Sequence, residues 1–320
     1  MGARETRRIV ITGASSGIGA ATAEEFARRG AKLMLAARGA EGLKQVAERC
    51  RALGAEAWAV PTDVTDGEAV AALARTARER MDGIDLWFSN VGVGVVGRFH
   101  EVPLAEHRRV IEANLLGHLN DAHAALPVFL DQGHGTFVNM ISVGGFVATP
   151  WAAAYAASKF GLRGLSESLR GEMSLQPRIH VCDVYPTFVD TPGIAHAGNR
   201  TGGKLSVPPG ALDPRKVARA VVRLADRPRN TTVVGAPAGL LKLTQFLLPN
   251  LSAAGMNGFF RYYFSRAEPA PGTPGALFEP APPGGVDGGF RRPDQRRKAA
   301  LAAGGVAAAV GLAALALRRR

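Results

Sequence analysis

The sequence predicts an α/β fold: one doubly wound, parallel sheet of about seven strands with helices on both faces. Three observations carry this. Short runs rich in valine, isoleucine and leucine recur between residues 8 and 234. Most of them are followed by a stretch with amphipathic helical spacing, and strands alternating with helices pack as a parallel sheet. The polar and glycine residues that stand out fall where these runs end, and open α/β sheets bind ligands at the strands' carboxyl ends.

The first strand, residues 8–12, breaks into Gly13-Ala14-Ser15-Ser16-Gly17-Ile18-Gly19, and a helix then runs to about residue 29. Strand, glycine turn and helix N-terminus form an anion site in which backbone N–H groups and the helix dipole face a phosphate. The glycines permit the tight turn and a close approach of the nucleotide, which marks the sheet as Rossmann-type. The second strand, 32–36, ends at Ala37-Arg38, and a helix follows over 41–53. An adenosine ribose would lie at this tip. With no carboxylate there for a 2′-hydroxyl, the Arg38 guanidinium suits a 2′-phosphate and favours NADP(H) over NAD(H). The third strand, 56–61, closes on Asp63-Val64 before a helix over 66–80. Asp63 could accept from the adenine amino group or cap a turn. After the fourth strand, 86–90, Asn90 and Gly92 are placed to brace the cofactor wall.

A helix from about residue 103 carries Asn114 between Val110-Ile111 and Leu115-Leu116. A buried amide there must find hydrogen-bond partners, so structural bracing would explain it. The fifth strand, 135–141, delivers Ser142, and the next helix, to about 174, carries Tyr155 and Lys159 four residues apart. That spacing puts phenol and ammonium on one face. A nearby cation favours phenolate, so Tyr155 could give or take a proton near neutral pH. Moving a tyrosine from ~10 to ~7 requires about 4 kcal/mol of differential stabilisation. Lys159 alone, partly solvated, falls short of that, and a bound cationic cofactor would help. The sixth strand, 180–185, runs into Pro186-Thr187-Phe188-Val189-Asp190-Thr191 and a loop to residue 209 long enough for a substrate lid. Asp213-Pro214 opens a helix to about 226, and 231–234 is the seventh strand.

With these residues in place, the chain over residues 7–236 resembles the short-chain dehydrogenase/reductase family, in its ordinary rather than extended branch. Thr12-Gly13-Ala14-Ser15-Ser16-Gly17-Ile18-Gly19 fits the family's Thr-Gly-x-x-x-Gly-x-Gly motif. Asn114, Ser142, Tyr155 and Lys159 fall where its catalytic tetrad would. The resemblance implies an NADP-dependent oxidoreductase that interconverts a carbonyl and an alcohol. In it, Ser142 holds the reacting oxygen, Tyr155 passes the proton, Lys159 binds the nicotinamide ribose, and Asn114 holds a relay water. It also implies a cofactor site of Gly13, Ser15, Ser16, Gly17, Ile18, Gly19, Arg38, Asp63, Val64, Asn90, Gly92, Tyr155, Lys159, Pro186, Val189 and Thr191. Two departures stand out. Ser89-Asn90-Val91-Gly92 replaces the family's Asn-Asn-Ala-Gly, and Thr187 replaces the glycine of Pro-Gly-x-Val-x-Thr, adding bulk beside the nicotinamide.

Val93, Val95, Val143, Phe146, Trp151 and Phe188 are candidates to line the pocket, with Ser142, and their apolar character points to a hydrophobic ketone, aldehyde or secondary alcohol. His196 reads as a solvent-facing loop residue. The alternative function is a non-catalytic nucleotide-binding scaffold or sensor at a membrane.

The 320-residue chain has two cysteines and a net charge of +12, and no secretory signal opens it. Residues 291–320 hold eight basic side chains against Asp294, which makes the tail +7 and leaves +5 for the rest. The excess charge sits at one end with no basic, aromatic-interleaved groove, so nucleic acid is not an expected partner. No metal-ligand cluster is evident. A cytoplasmic homo-oligomer is the expected state.

Four regions follow: a catalytic domain over 1–236, a helical extension over 237–266, a Pro/Gly-rich linker over 267–295 and a basic-flanked apolar helix over 296–320. The extension carries Phe259-Phe260 and Tyr262-Tyr263-Phe264 and breaks at Pro249. Its first expected role is core packing or closure of the substrate site. The linker composition predicts disorder. Residues 299–317 contain no charge and, as a helix, would span about 28 Å, so they could anchor the protein in a membrane.

Overall fold

The computed structural model describes residues 6–208, 210–235 and 246–291. The stretches 236–245 and 292–320 lie outside the described residues, and with them the proposed membrane helix. Among the described residues no helix is long and apolar enough to cross a membrane.

Seven parallel strands form the central sheet: β1 (Arg8–Thr12), β2 (Lys32–Ala37), β3 (Glu56–Pro61), β4 (Leu86–Ser89), β6 (Gly135–Met140), β7 (Ile179–Pro186) and β9 (Thr231–Val234). Their order is β3-β2-β1-β4-β6-β7-β9. Both faces are covered, which is why the strands read as near-continuous apolar runs. Along β1, Ile9 and Ile11 point into one core with Leu33, Leu35 and Phe26. Val10 points into the other with Met34, Trp87 and Phe137, as the period of two requires.

Helices α1 (Gly17–Ala27), α2 (Ala40–Ala52) and α7 (Pro214–Asp226) cover the first face, and α3 (Gly67–Met81) and α5 (Gly117–Gln132) the second. Asp66 caps α3 by accepting from the N–H groups of Glu68 and Ala69, and Asp213 caps α7 by accepting from Arg215 N–H. The helix expected from residue 103 is α4 (Leu104–Ile111), continuing through a π-helical turn, Glu112–Leu116, into α5. Asn114 sits in that turn, and π-turns inside helices concentrate at functional sites. Helix α6 (Ala153–Glu172) carries Tyr155 and Lys159.

The loop after β7 is more ordered than its glycines suggested. A two-residue strand β8 (Gly198–Asn199) pairs with β5 (Val95–Val96) after β4 and ties the lid region to the opposite rim of the cleft. Helix α8 (Pro249–Ser265) begins at the proline that broke the sequence pattern. Residues 267–291, expected as a disordered linker, instead run across the carboxyl ends of the sheet. Gly275 makes this possible: its φ is +57°, and a Cβ there would lie 2.3 Å from the His196 carbonyl. Only a residue without a side chain lets the two backbones meet so closely.

Candidate active site

The order of strands reverses between β1 and β4, and the crevice above that switch point is where ligands of such sheets bind. A cavity of about 500 Å³ opens there, running from Arg38 and Asp63 past Gly13–Ile18 to Ser142, Tyr155 and Phe188.

Gly13 and Gly17 take φ values of 65° and 55°, open to glycine without a Cβ penalty. A Cβ on Gly19 would sit 2.1 Å from the Gly13 carbonyl oxygen, so helix α1 can start this close to the turn only with glycine. Asn90 holds the turn from β4, its Nδ2 donating to the Gly13 carbonyl at 3.1 Å. Beneath it, Asp121 of α5 accepts from Thr12 Oγ1 at 2.7 Å and Ser89 Oγ at 2.6 Å, locking the ends of β1 and β4 together. Burial pushes the Asp121 carboxyl up to about 7 against the pull of these hydroxyls. Sequence reasoning missed Asp121, because one acid inside a helix pattern does not reveal which strands it reaches.

At the other end, Ser142 leaves β6 with φ at 111°, a conformation that costs about 1–3 kcal/mol outside glycine. It is held by a 3.2 Å bond from Gly144 N–H to its Oγ. Ser142 Oγ itself donates to the Pro186 carbonyl at 3.5 Å. Tyr155 lines the same cavity, where burial raises the phenol's pKa above its ordinary value and Ser142 pulls the other way. Lys159 is buried, with Nζ donating to the Met140 carbonyl at 3.0 Å and lying 5.6 Å from the centroid of the Tyr155 ring. Burial pulls the Lys159 ammonium down to about 7. The expected acidification of Tyr155 by Lys159 is therefore not present in the chain alone, because desolvation opposes both charged forms.

Asn114 is fully buried and bonded on three sides: Oδ1 accepts from Val93 N–H at 2.8 Å, and Nδ2 donates to the Val93 carbonyl at 2.9 Å and Ser158 Oγ at 3.2 Å. Ser158 Oγ in turn donates to the Tyr155 carbonyl at 2.7 Å. The amide therefore braces the β4 wall against α6.

Of the expected cofactor residues, Gly13, Ser15, Ser16, Gly17, Ile18, Arg38, Asp63, Val64, Asn90, Gly92, Tyr155, Lys159, Pro186, Val189 and Thr191 border the cavity, and Gly19 supports the turn from behind. Asp63 is already committed. Oδ1 accepts from the N–H and hydroxyl of Thr65, and Oδ2 accepts from Arg109 Nη2 at 2.9 Å. Burial alone would raise its pKa, but these donors hold it below the ordinary value.

Among the expected substrate residues, Ser142, Val143 and Phe188 line the cavity, as do Val93 and Val95. Phe146 and Trp151 do not. Phe146 stacks on buried Tyr185 at 4.1 Å between ring centroids. Trp151, at φ 70°, turns away to donate from Nε1 to Asn257 Oδ1 at 3.0 Å. Their place is taken by Phe259, Phe260, Tyr263 and Phe264 of α8, spaced one helical turn apart in pairs. His196 also borders the cavity rather than only solvent. The Thr187 departure is absorbed by Gly235, where an added Cβ would lie 2.3 Å from Thr187 Oγ1.

Residues 276–291 form the outer rim. Arg38 Nη1 donates to the Leu277 and Phe278 carbonyls at 3.2 and 3.0 Å, and Nη2 to those of Ala276 and Glu279 at 2.8 and 3.1 Å. Arg109 Nε shares the Leu277 carbonyl at 3.1 Å. Farther along, Gly17 N–H donates to the Gly285 carbonyl at 3.1 Å. Asp190 accepts from the backbone of Phe290 and Arg291 at 3.0 and 3.1 Å.

Fold and crevice define a Rossmann-type nucleotide-binding protein. The chain belongs to the short-chain dehydrogenase family, whose model matches residues 7–200, and it is an oxidoreductase of that family. An uncharacterized oxidoreductase of Bacillus subtilis is 32% identical over 247 residues, covering 76% of this chain and 69% of the relative. An archaeal alcohol dehydrogenase from Thermococcus sibiricus, solved with 5-hydroxy-NADP, superposes with a TM-score of 0.64 at 29% identity, covering 73% of this chain and 98% of that one. A metagenomic short-chain oxidoreductase solved with NADP gives 0.61 at 29% identity, covering 72% and 97%.

Proposed function

We propose that the protein interconverts a carbonyl and an alcohol on a hydrophobic substrate with NADP(H) as hydride carrier. The observation that carries this reading is the gathering of Ser142, Tyr155 and buried Lys159 on the wall of one glycine-turn crevice, with Lys159 Nζ 5.6 Å from the Tyr155 ring centroid. The crevice fits a dinucleotide: Gly92 faces open space, with nothing within 4 Å of an added Cβ, and the Gly13–Gly19 turn presents its helix N-terminus to the cavity. The two neighbouring structures solved with NADP or its 5-hydroxy form support the coenzyme class.

When bound, the coenzyme supplies or accepts the hydride. The chain does the rest. Backbone N–H groups after Ser16 and the α1 dipole hold the phosphates, Gly17 N–H giving up the Gly285 carbonyl to do so. Lys159 Nζ donates to the ribose hydroxyls. Ser142 Oγ and the Tyr155 hydroxyl grip the substrate oxygen, and Tyr155 delivers or removes its proton. Phe259, Phe260, Tyr263 and Phe264, with Val143 and Phe188, exclude water and favour an apolar ketone or secondary alcohol. A homo-oligomer is the proposed assembly, and residues 299–317 are proposed as a membrane anchor on their composition alone.

NADPH fluorescence titration of wild type and Tyr155→Phe tests the core of this reading. Binding should be preserved in the variant while turnover falls about 10²–10⁴-fold, the usual worth of a positioned acid–base group. Comparable turnover in the variant would remove Tyr155 from the chemistry. Binding without turnover across a broad panel of hydrophobic ketones and alcohols would favour a nucleotide-sensing role instead.

A further inference from the structure

The rim contacts at Arg38 carry an inference about coenzyme choice, which rests on reading the crevice as the coenzyme site. An arginine has five N–H donors, and residues 276–279 take four of those on Arg38. All four acceptors are neutral backbone carbonyls, and one of them, Leu277, is shared with the Arg109 guanidinium. Arg38 stands where the adenosine ribose carries its 2′-substituent, at the carboxyl end of β2. We propose that residues 276–279 are a coenzyme-discriminating strap: their carbonyls hold the Arg38 donors that a 2′-phosphate needs, so NADP(H) displaces them and NAD(H) does not.

The chemistry favours exchange. A phosphate dianion offers two oxygens in the fork geometry that guanidinium matches, and charge-assisted bonds of this kind are roughly twice as strong as bonds between neutral groups. Two guanidinia facing one carbonyl oxygen, with carbonyl dipoles as Arg38's direct acceptors, are better satisfied by an anion than by dipoles. A 2′-hydroxyl brings no charge to Arg38 and leaves residues 276–279 in place, although the phosphates of either coenzyme must displace the Gly285 carbonyl from Gly17 N–H.

The strap is anchored on both sides of residues 276–279, so this stretch lifts as a short loop. Upstream, Asn199 N–H donates to the Thr273 carbonyl at 2.8 Å and Thr273 N–H to the Asn199 carbonyl at 2.9 Å, whereas the 2.8 Å bond from Ala276 N–H to the His196 carbonyl belongs to the stretch that lifts. Downstream, Asp287 forms an ion pair with Arg215 at 2.9 Å and another with Arg291 at 2.7 Å. Discrimination is therefore set by how tightly the anchors hold the loop down. Loosening them should raise affinity for NADP(H) and leave NAD(H) nearly unchanged.

Hydrogen exchange on the full-length protein tests this, with the Ala276 amide as reporter. Adenosine 2′,5′-bisphosphate and NADP⁺ should each speed its exchange about tenfold, whereas adenosine 5′-monophosphate and NAD⁺ should leave it within twofold. Arg38→Ala should free the same amide with no nucleotide present. Asp287→Ala, at the downstream anchor, should lower the Kd for NADPH several-fold and move that for NADH by less than twofold. NADP⁺ that binds yet leaves Ala276 exchange unchanged or slower would overturn the competition while leaving the coenzyme reading intact. Unchanged exchange in Arg38→Ala would show that Arg38 does not hold the loop, and would overturn it too. Failure of all four nucleotides to bind would overturn the coenzyme reading and the competition with it.

Discussion

Replacing Lys159 with methionine should stabilise the free protein while disabling its site. The ammonium is pulled from 10.5 to about 7, and the cause is burial. At about 1.4 kcal/mol per pH unit, that lowering sets an upper bound of ~5 kcal/mol on the penalty for keeping this group charged in the fold. Methionine has a similar length and removes the penalty, but it leaves the Met140 carbonyl without its 3.0 Å donor. An unpaired buried acceptor costs about 1–3 kcal/mol, so a net gain of at most about 2–4 kcal/mol is expected.

The sign with pH follows from linkage. Below about pH 7 Lys159 is charged in both folded and unfolded chains, and wild type carries the whole penalty. Between about 7 and 10.5 the folded chain loses the proton first, and the penalty shrinks until it vanishes. The stability advantage of the variant should thus be largest at pH 6 and fall to zero or below by pH 10. His118, which feels the Lys159 charge, is held down to about 4 by burial first and stays neutral across this range. Urea unfolding of both proteins from pH 5.5 to 10 measures the gap. A variant less stable than wild type at pH 6, or a gap independent of pH, would refute the burial argument.

Gly19→Ala places a Cβ 2.1 Å from the Gly13 carbonyl and 2.9 Å from Asn90 Nδ2, so turn and helix must part. Overpacking of this kind costs about 1–3 kcal/mol, and both Tm and NADPH affinity should fall; affinity within twofold of wild type would contradict the role of the turn. Coenzyme binding near pH 8 should draw protons from solution, because phosphates and ribose hydroxyls restore the charged form of Lys159. Calorimetry in two buffers of different ionisation enthalpy reads that uptake, and equal heats would count against it. Deleting residues 296–320 should move the protein from the membrane to the soluble fraction; wild type found already soluble would end the anchor idea.

The sheet was legible because parallel strands buried on both faces leave runs such as Arg8–Thr12 that nothing else explains. The glycine turn was legible because positive φ and close approach demand glycine at particular spacings. What escaped is long-range. Asp121 reaches Thr12 across 109 residues, and Arg109 reaches Asp63 across 46. Neither pairing leaves a local pattern. Phe146 and Trp151 show the converse error: their apolar character suited a pocket lining, whereas a stack on Tyr185 and a bond to Asn257 claim them. The 267–291 stretch misled for a physical reason. Proline and glycine deny it helix or strand, yet its order comes from the residues it lies on, through bonds that Arg38, Gly17 and Asp190 make to its backbone.

Burial acts on Tyr155 and Lys159 in opposite senses to one effect: each is pushed toward its neutral form. With Lys159 about half charged near pH 7, the free crevice gives a Tyr155 phenolate little cationic support. Phosphates nearby and ribose hydroxyls at Lys159 Nζ favour the ammonium again, and only then does the Tyr155 phenolate gain a cation within reach. On the proposed function, proton-transfer competence is therefore coupled to occupancy by the coenzyme. The strap adds a second coupling at the far end of the same crevice, since Arg38 engages either residues 276–279 or a 2′-phosphate. Both ends of the site thus pair a cation with its own backbone in the free state, Lys159 with Met140 and Arg38 with the strap, and trade that partner for the ligand.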